Sequence, residues 1–396
     1  MRLYRVVMLA PFGIRPKGTL SARMLPLAQA LQERGHVVTI VAPAYLNPPD
    51  AGTTQSVQGV TVQHIRLPRL PRPFAVLETA TELLRVGLQK NPDVLHVFKP
   101  KGYSGIAALF AARLRPNLPL VIDTDDWEGW GGWNDLASYS RPMKTFFAWQ
   151  ERSLPHLAAA VTVASRTLQT QMWGFGVPPQ RVWYLPNGVP RELPALPSHA
   201  AARRELHLHN GPVVLLYTRF WEYPLRDVLA VLLGLRECHP AARVVVLGAG
   251  EHGEEHELMR RAQQAGLDSW LDQRGWGDET MIAAGLAAAD VALAPFADTL
   301  MNRAKGMAKL LQLLHAGVPV VASKVGQASE YIQDGRSGLL VPPNDEGSLA
   351  RAVLELLDNQ AKARQLGRAG QQHVLAQFNW PHLASSLEET YRSVCD

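Results

Sequence analysis

The sequence is poor in cysteine. Its 396 residues include two, Cys238 and Cys395, and neither belongs to a CxxC pair or a Cys/His cluster. This excludes a disulfide framework and leaves no basis for a structural zinc site. The same scarcity fits a reducing compartment, so a cytoplasmic location is expected.

Long apolar runs and concentrated charge are also missing. No stretch approaches the roughly 18 apolar residues of a membrane-spanning helix. The N-terminal MRLYRVVMLAPFG has a short apolar core and no cleavage site, so it predicts a first strand rather than a signal sequence. The net charge of +5 is not gathered into a Lys/Arg run, so a nucleic-acid partner is not expected. An anionic ligand or an anionic membrane surface stays compatible with this charge.

Short apolar runs alternate with amphipathic helical patterns along nearly the whole chain. Segments such as YRVVMLAPF and VVTIVAP are β-branched and apolar on both faces, as strands covered by helices on both sides must be. This predicts an α/β fold with two doubly wound, Rossmann-like domains facing a cleft. The proline-rich PNGVPRELPALPSHA interrupts the alternation, so the predicted domains are residues 1–189 and 190–378.

The segment NRAKGMAKLLQLLHAGVPVVAS, from Asn302, predicts a helix that ends at Gly317 and leads into a buried strand. Asn302, Lys305, Lys309 and Gln312 are spaced by three, four and three residues, so on one helix they share a face. That face has no carboxylate, and its helix start would favour an anion such as a diphosphate. The alternative is an ordinary solvated helix face, although such a face usually mixes charges.

A literal G-x-G-x-x-G follows a predicted strand, with glycines at 248, 250 and 253. Taken alone, this pattern indicates a dinucleotide site. Four glutamates follow it, Glu251, Glu254, Glu255 and Glu257. They would crowd acid around the helix start where a pyrophosphate should lie. The motif is therefore interpreted as a tight turn lining the cleft, and an NAD-linked enzyme is not expected.

Two further segments place arginine or carboxylate side chains just beyond strands. Arg219 lies just beyond one strand, and Arg226 follows seven residues later; both can bind phosphate, and both can equally be surface arginines. VIDTDDWEGWGG places Asp123, Asp125 and Asp126 at a strand end, which suggests acid/base work, binding of sugar hydroxyls or a cation. Turn formation and capping are the alternative. The same loop offers an aromatic, sugar-facing platform with Glu128, Trp127, Trp130 and Trp133.

Two loops of the first domain carry weaker signals. In APFGIRPKGTLSARMLPL, Gly13, Lys17 and Gly18 are placed to approach a phosphate or an acceptor, with Ser21 as a helix N-cap. In HIRLPRLPRPF, Arg66, Arg69 and Arg72 alternate with apolar residues, which suggests contact with an anionic membrane or a lipid-linked acceptor. An ordinary proline-rich loop is the alternative for the second segment.

Taken in order, these segments resemble the retaining glycosyltransferases of the GT-B fold, close to glycosyltransferase family 4. The most specific part is LLHAGVPVVASKVGQASEYIQDGRSGLLVPPND, and FNWPHLASSLEETYRSV resembles the helix that returns to the first domain, here residues 379–396. The resemblance implies transfer of a sugar from a nucleotide-diphosphate donor with retention at the anomeric carbon. It also implies a donor in the second domain, a glycan, lipid-linked or small-molecule acceptor in the first, and neither metal nor cofactor.

The resemblance assigns roles to individual residues. The residues predicted to act in catalysis are Asp125, Arg219, Lys305 and Lys309. Those predicted to bind the donor are Gly18, Arg226, Gly250, Trp276, Asn302, Gly306, Met307, Ala308 and Gln312, with Arg274 beside Trp276 near the base. Those on the acceptor side are Lys17, Asp126 and Trp127. Peripheral contact with the inner membrane face, through residues 66–74, is an additional hypothesis.

The sequence departs from the family pattern at its functional positions. Two glutamates that the family typically carries eight residues apart are replaced by Ala304 and Gln312. A lysine position falls at Pro224, the double glycine of the first loop is reduced to KG, and Asp125 stands where a histidine is common. Two hypotheses follow: a divergent active enzyme, or a catalytically silent nucleotide-sugar-binding protein or partner subunit.

Overall fold

A computed structural model of the chain describes residues 2–14, 18–71, 74–208 and 210–396. The chain divides into two compact units. The first comprises Met1–Gly188, Ala304–Gly306 and Trp380–Asp396, and the second comprises Val189–Arg303 and Met307–Asn379. Each unit is an α/β structure built on one largely or wholly parallel sheet, as the sequence predicts.

The sheet of the first unit has eight strands among the described residues, in the order β3-β4-β2-β1-β5-β6-β7-β8. They are β1 (Arg5–Leu9), β2 (Val37–Ala42), β3 (Thr54–Val57), β4 (Val60–His64), β5 (Val94–Phe98), β6 (Leu120–Thr124), β7 (Ala160–Val163) and β8 (Val182–Tyr184). All neighbours are parallel except β3 and β4. Strands β5, β6 and β7 are buried along their whole length, because helices cover both faces of the sheet.

Helices of the first unit follow its strands. They are α1 (Leu25–Glu33), α2 (Phe74–Leu88), α3 (Tyr103–Leu114), α4 (Trp133–Leu136), α5 (Arg141–Ser153) and α6 (Arg166–Gly174), with a π-helical turn at Leu20–Met24 before α1. Two apolar clusters form the core, and each contains side chains from one face of the sheet; Val7 and Val97 belong to one, Val6 and Phe98 to the other.

The second unit has a six-stranded parallel sheet in the described residues, in the order β11-β10-β9-β12-β13-β14. Its strands are β9 (Val213–Tyr217), β10 (Arg243–Leu247), β11 (Leu271–Gln273), β12 (Val291–Ala294), β13 (Val320–Ser323) and β14 (Leu339–Val341). Its helices are α7 (His199–Glu205), α8 (Leu225–Cys238), α9 (Glu254–Gln264), α10 (Glu279–Ala288), α11 (Leu300–Ala304), α12 (Ala308–His315), α13 (Ala328–Tyr331), α14 (Glu346–Asp358) and α15 (Gln360–Gln377). Ala304 itself groups with the first unit.

The last helix, α16 (Trp380–Cys395), packs in the first unit against α1, as the sequence predicts. Leu383 and Leu387 lie in that unit's core, and the Arg34 guanidinium bonds the buried Glu388 carboxylate at 2.7 Å. No helix among the described residues is long and apolar enough to cross a membrane.

The structure corrects the prediction of one continuous helix from Asn302 to Gly317. Helix α11 ends at Ala304 and α12 begins at Ala308, so Asn302 and Lys305 do not share a helix face with Lys309 and Gln312. The break follows from backbone hydrogen bonding. The Met307 N–H donates to the Gln327 side chain at 2.9 Å, which satisfies it without a helical partner.

Two strands were not predicted from the sequence. Strand β3 lies at the edge of its sheet and alternates exposed with partly buried residues, so it lacks the apolar run that identifies a buried strand. Strand β14 is three residues long and also lies at an edge, where a single neighbour holds it.

Candidate functional site

The carboxyl ends of β5 and β6 bring together a group of ionised side chains in the first unit. The two strands are parallel neighbours with Phe98 opposite Asp123, so the residues that follow each strand meet. We call this group the Lys99 cluster; it consists of Lys99, Lys101, Asp125, Asp126 and Glu128. The carboxylates of this cluster are predicted from the sequence and the two lysines are not, although Lys99 directly follows the buried strand DVLHVF.

Lys99 is the central cation of this cluster. Its Nζ lies 2.6 Å from Asp126 Oδ2, 3.0 Å from Glu128 Oε1 and 3.3 Å from Asp125 Oδ1. Lys101 Nζ lies 2.5 Å from the other Glu128 oxygen. The backbone of Lys99 has a positive φ of 48°, a conformation that costs a non-glycine residue energy and often accompanies function.

Burial and charge together set the ionisation of the cluster. Burial by itself lowers the pKa of Lys99, but the three carboxylates outweigh it and raise the pKa well above its ordinary value. Burial raises the pKa of Asp126 to about 6, although Lys99 opposes the rise. Burial also acts to raise the pKa of Glu128, but Lys99 and Lys101 bring it below its ordinary value. The nearby Glu151, buried on α5, has a pKa raised well above normal by burial and by the charge of Glu128.

The loop after β1 contributes Thr19, whose hydroxyl donates to Asp125 Oδ2 at 3.2 Å. The Gly18 N–H donates to the Ser21 hydroxyl at 3.1 Å. Ser21 lies inside the π-helical turn and does not cap it; the residue at the N-cap position is Thr19, which makes no capping bond. The predicted acceptor-side Lys17 lies outside the described residues. The loop thus reaches the Lys99 cluster through Thr19.

Asp123, predicted to belong to the site, is instead a structural anchor. It is fully buried and accepts two hydrogen bonds from the Arg23 guanidinium, at 2.9 and 2.6 Å, and one from the Thr162 hydroxyl at 2.6 Å. Arg23 also donates to Asn187 Oδ1 and to the Leu185 carbonyl. Both charges are therefore paired and hydrogen-bonded as deep burial requires, which fixes the start of the first helix against β6.

Trp127 does not form part of a sugar-facing platform. Its side chain is buried, its ring lies 5.6 Å from the Phe175 ring, and its indole N–H donates to the Trp130 carbonyl at 2.7 Å. The adjacent Gly129 and Gly132 pack so closely on Trp127 that an added Cβ would overlap it. The interior of the unit takes this large ring because burying it removes apolar area from water.

In the second unit, the carboxyl end of β9 lies beside the start of α12. Lys309, in the first turn of α12, is half-buried, and its Nζ lies 5.2 Å from the centre of the Tyr217 ring at the end of β9. Arg219 follows two residues later and pairs with Glu251 at 2.7 Å in a half-exposed ion pair. The first turn of α12 has no acidic residue. A helix start of this kind attracts anions.

Two residues of the predicted stripe, Asn302 and Lys305, lie elsewhere than the sequence suggested. Asn302 is fully buried, and its amide donates to the carbonyls of Glu222 and Ala297, both at 2.9 Å, so it supports a loop. Lys305 is also buried and groups with the first unit. Gln312, on the second turn of α12, is exposed. The predicted stripe therefore reduces to Lys309 and Gln312.

The glycine motif forms a strand-to-helix turn, and neighbouring protein groups already contact its glycines. Gly248, with φ +122°, lies so close to the Thr218 carbonyl that a Cβ would be 1.8 Å from its oxygen. The Gly250 N–H donates to the Glu255 carboxylate at 2.8 Å. Helix α9 then begins with three glutamates in its first turn. The predicted donor-binding role of Gly250 therefore requires a side chain of the same turn to move away.

The remaining predicted donor residues differ in exposure: Arg226 and Trp276 are exposed, whereas Met307 is buried. Arg226 is exposed on α8 and donates to Asn344 at 2.9 Å, and Trp276 is 64% exposed. Arg274 pairs with Asp272 at 2.5 Å. In the 66–74 segment, Arg72 lies outside the described residues. Gly306 and Asp125 meet within the first unit, where the Gly306 N–H donates to the Asp125 carbonyl at 2.8 Å. Met307 is buried and Ala308 partly buried at the start of α12.

Comparison with known proteins identifies the family. The model of the Glycosyl transferase 4-like domain matches residues 18–188, and that of Glycosyl transferases group 1 matches residues 211–359. The chain is a glycosyltransferase of the 4-like family with the GT-B fold. The first match lies within the first unit, and the second lies almost wholly in the second unit.

Individual relatives agree with this assignment. A phosphatidyl-myo-inositol mannosyltransferase of Mycobacterium leprae is 27% identical over 405 residues, covering 98% of this chain and 97% of that protein. A GDP-mannose-dependent alpha-(1-6)-phosphatidylinositol monomannoside mannosyltransferase of Mycobacterium tuberculosis is 31% identical over 239 residues, covering 58% and 60%. A sucrose-phosphate synthase structure from Thermosynechococcus elongatus superposes with a TM-score of 0.77 at 20% identity, covering 99% and 98%, and shows the same fold.

The departures from the family pattern have structural consequences in this glycosyltransferase. Ala304 is fully buried in an apolar cluster, so the position can offer a ligand no polar group. Pro224 precedes α8 in an extended conformation and lies at its N-cap. The second unit still has one place suited to binding an anion, the start of α12. Lys309 and Arg219 lie there, at the same edge of the sheet.

Proposed function

We propose that this glycosyltransferase moves a sugar from a nucleotide-diphosphate donor to an acceptor, with retention of configuration and without a bound metal ion. The observation that carries the proposal is the placement of Lys309 at the acid-free start of α12, against the end of β9. A departing diphosphate is a dianion or trianion. Preorganised cations and backbone dipoles stabilise such developing charge without reorganisation in the transition state.

In this proposal the second unit binds the donor. Lys309 and the backbone at the start of α12 contact the diphosphate, and Arg219 contributes its guanidinium. The Arg219–Glu251 pair is half-exposed and therefore weak, so a bound phosphate can displace Glu251 at small cost. Gln312, one turn along α12, is assigned to a ribose hydroxyl. The name of the Mycobacterium tuberculosis relative, which specifies GDP-mannose, supports a nucleotide-sugar donor.

In the same proposal the first unit binds the acceptor at the Lys99 cluster. The Asp126 carboxylate is the most accessible of the cluster's acids, with 21% of its side chain exposed. Carboxylate oxygens accept hydrogen bonds from sugar or polyol hydroxyl groups. Lys99 holds Asp125 and Asp126 in place and moderates their charge. The Mycobacterium leprae relative is named for a phosphatidylinositol acceptor, which supports a hydroxyl-bearing, lipid-linked class of acceptor.

Nucleotide binding tests the donor half of the proposal. The melting temperature is measured with UDP, GDP, ADP and dTDP, each in the presence of magnesium and of a chelator. A ligand that binds the native state raises it by mass action, equivalent to about 2.7 kcal/mol at a hundredfold excess over Kd. One nucleotide is expected to raise it equally in both conditions. No shift with any of the four would contradict the donor site.

The reaction itself is tested with the nucleotide sugar that corresponds to the nucleotide found. Release of nucleoside diphosphate with a polyol acceptor is expected, and NMR of the product should show the anomeric configuration of the donor. An inverted product would contradict the retaining mechanism. Binding without donor consumption across an acceptor panel would indicate the alternative, a protein that binds nucleotide sugars without turning them over.

A further inference from the structure

The first unit carries most of the exposed apolar surface. Of the 22 large hydrophobic side chains that are exposed in the described residues, four belong to the second unit: Leu193, Leu233, Trp276 and Leu300. Single exposed hydrophobic residues are normal on any protein surface. Clustered ones on a single unit mark an interaction site. An interaction surface is therefore expected on the first unit.

Helix α5 and the residues beside it form one of these exposed regions. Met143, Phe146 and Trp149 are 44%, 38% and 45% exposed and recur every three residues, so they lie along one side of the helix. Leu136 and Tyr139 precede the helix and are 40% and 37% exposed. Leu157 follows it at 40% exposed.

The aromatic rings make a continuous surface. The Phe146 and Trp149 rings are stacked at 5.9 Å with 19° between their planes. Phe146 also lies 6.2 Å from the ring of Phe147, which in turn contacts Tyr139 edge-on at 5.1 Å. Phe147 is buried and anchors the row to the core. Each of these exposed rings thus contacts another ring of the row. We refer to Tyr139, Met143, Phe146 and Trp149 as the α5 surface.

The charges of α5 favour an anionic partner. Its basic residues, Arg141, Lys144 and Arg152, are exposed or half-exposed, whereas its single acid, Glu151, is buried. The neighbouring α4 presents one exposed acid, Asp135, whose carboxylate accepts the Gly131 N–H at 3.0 Å. The outward charge of this helix is therefore entirely positive, beside a row of aromatic and aliphatic side chains.

We propose that α5 lies on the surface of an anionic lipid membrane, with the α5 surface at the level of the headgroups and the three basic residues on lipid phosphates. Trp, Tyr and Phe beside Lys and Arg are the combination that interfacial helices use, because amphipathic rings favour the boundary between water and hydrocarbon. Exposed apolar side chains alone, or basic side chains alone, give weak and reversible membrane binding. Together they make membrane binding stable.

A membrane fits this surface better than a soluble glycan does. Sugars stack on aromatic faces, but Leu136, Met143 and Leu157 offer flexible aliphatic groups that sugars do not use. The basic residues also have no role with a neutral glycan. This inference extends the proposed function by placing the enzyme where a lipid-linked acceptor resides. It does not depend on sugar transfer, because vesicle binding is measured without any donor or acceptor.

The test is flotation of the full-length protein with vesicles of phosphatidylcholine alone and of phosphatidylcholine containing phosphatidylglycerol. The wild-type protein is expected to float with the anionic vesicles and much less with the neutral ones. The double variant Phe146→Ser/Trp149→Ser should lose about tenfold or more in partitioning, since two interfacial rings are removed. Each of Arg141→Gln and Arg152→Gln should lose about fivefold.

Matched controls come from α3 in the same unit. Leu114 is 69% exposed, and the neighbouring Arg113 is also exposed, so Leu114→Ser and Arg113→Gln remove comparable groups from another face. Both variants should float like the wild type. The emission of Trp149 should shift to shorter wavelength on adding anionic vesicles, a change absent from Trp149→Phe.

Three results would overturn the proposal. The first is no flotation with either vesicle type. The second is equal flotation of wild type and Phe146→Ser/Trp149→Ser. The third is co-sedimentation with glycogen, or a concentration-dependent dimer, that the double variant abolishes while vesicle binding is unaffected. The nucleotide-dependent melting shift remains a separate measurement, so failure of membrane binding and failure of the proposed donor site are distinguishable.

Discussion

The Lys99 ammonium lies 2.6 Å from the Asp126 carboxylate, where two parallel strands end in the first unit. Lys99 is 5% exposed, and its Nζ lies within 3.3 Å of three acids, Asp125, Asp126 and Glu128. A buried charge persists only if its partners balance it and hydrogen-bond to it. This one lysine therefore holds the acidic cluster together, and both stability and ionisation at the site depend on it.

Replacing Lys99 with methionine should destabilise the first unit strongly. The variant keeps a side chain of similar length but leaves three buried or partly buried carboxylates without their shared cation. Removing one partner of a buried ion pair typically costs about 3–5 kcal/mol. The free energy of unfolding, measured by urea denaturation at neutral pH, should fall by that order.

The control for Lys99→Met is Lys362→Met in the second unit. Lys362 pairs with Glu355 on the surface, where 37% of the Lys362 side chain is exposed. An exposed pair contributes about 1 kcal/mol or less. Equal losses in the two variants would show that the Lys99 cluster behaves as a solvated surface network, contrary to the geometry described here.

The Asp126→Asn variant should reveal the titration of the cluster. Burial raises the pKa of Asp126 from its ordinary 3.8 to about 6. An acid whose pKa is higher in the folded state stabilises the fold fully below its unfolded pKa, and that contribution is lost as the pH rises through the folded value. Asparagine does not titrate. The stability of Asp126→Asn relative to wild type should therefore rise by roughly 1–3 kcal/mol from about pH 4 to about pH 7.

This difference is obtained from urea denaturation of the two proteins across the pH range. Asp227, whose pKa burial also raises to about 6, is present in both proteins, so its contribution cancels. The raised pKa of Asp126 would be contradicted if the stability difference stayed constant with pH. It would also be contradicted if Asp126→Asn became less stable relative to wild type as the pH rises.

Lys309→Ala should weaken binding of the nucleoside diphosphate identified by the melting panel. A hydrogen bond to a charged group contributes about 1.5–3 kcal/mol, so Kd measured by calorimetry should rise about tenfold or more. Lys309→Arg should retain part of the affinity because the positive charge remains. Lys362→Ala, at an unrelated surface position, should bind like the wild type. Unchanged affinity in Lys309→Ala would remove this residue from the donor site.

Gly248→Ala should destabilise the second unit far more than Gly266→Ala. Both glycines have positive φ, +122° and +64°, but an added Cβ at 248 would lie 1.8 Å from the Thr218 oxygen, whereas none of the described atoms lies within 4 Å at 266. Gly266→Ala should cost about 1–2 kcal/mol for its left-handed backbone alone. Gly248→Ala adds a backbone clash and should cost at least twice as much, measured by thermal unfolding. Equal costs would show that the turn can relax around a side chain.

The sequence determined the architecture of this protein because that architecture rests on local patterns. Buried parallel strands must be apolar on both faces, so segments such as DVLHVF and VVTIVAP are recognisable without tertiary information. The final helix and the family assignment followed from the same kind of pattern. Asp125 and Asp126 were recognisable as site candidates because they are the first two residues after a buried strand.

Only the tertiary structure decided which polar groups meet. The helix over 302–317 breaks because the Met307 N–H finds the Gln327 side chain twenty residues away, a partner that no local periodicity reveals. Trp127 is buried and Asp123 is paired with Arg23, one hundred residues earlier, because neighbouring strands and helices enclose them. Lys99 joins the acids for the same reason: sheet register, a long-range property, sets which strand ends are adjacent. Local sequence encodes each element's pattern of burial, whereas the partners of buried charges depend on how distant elements pack.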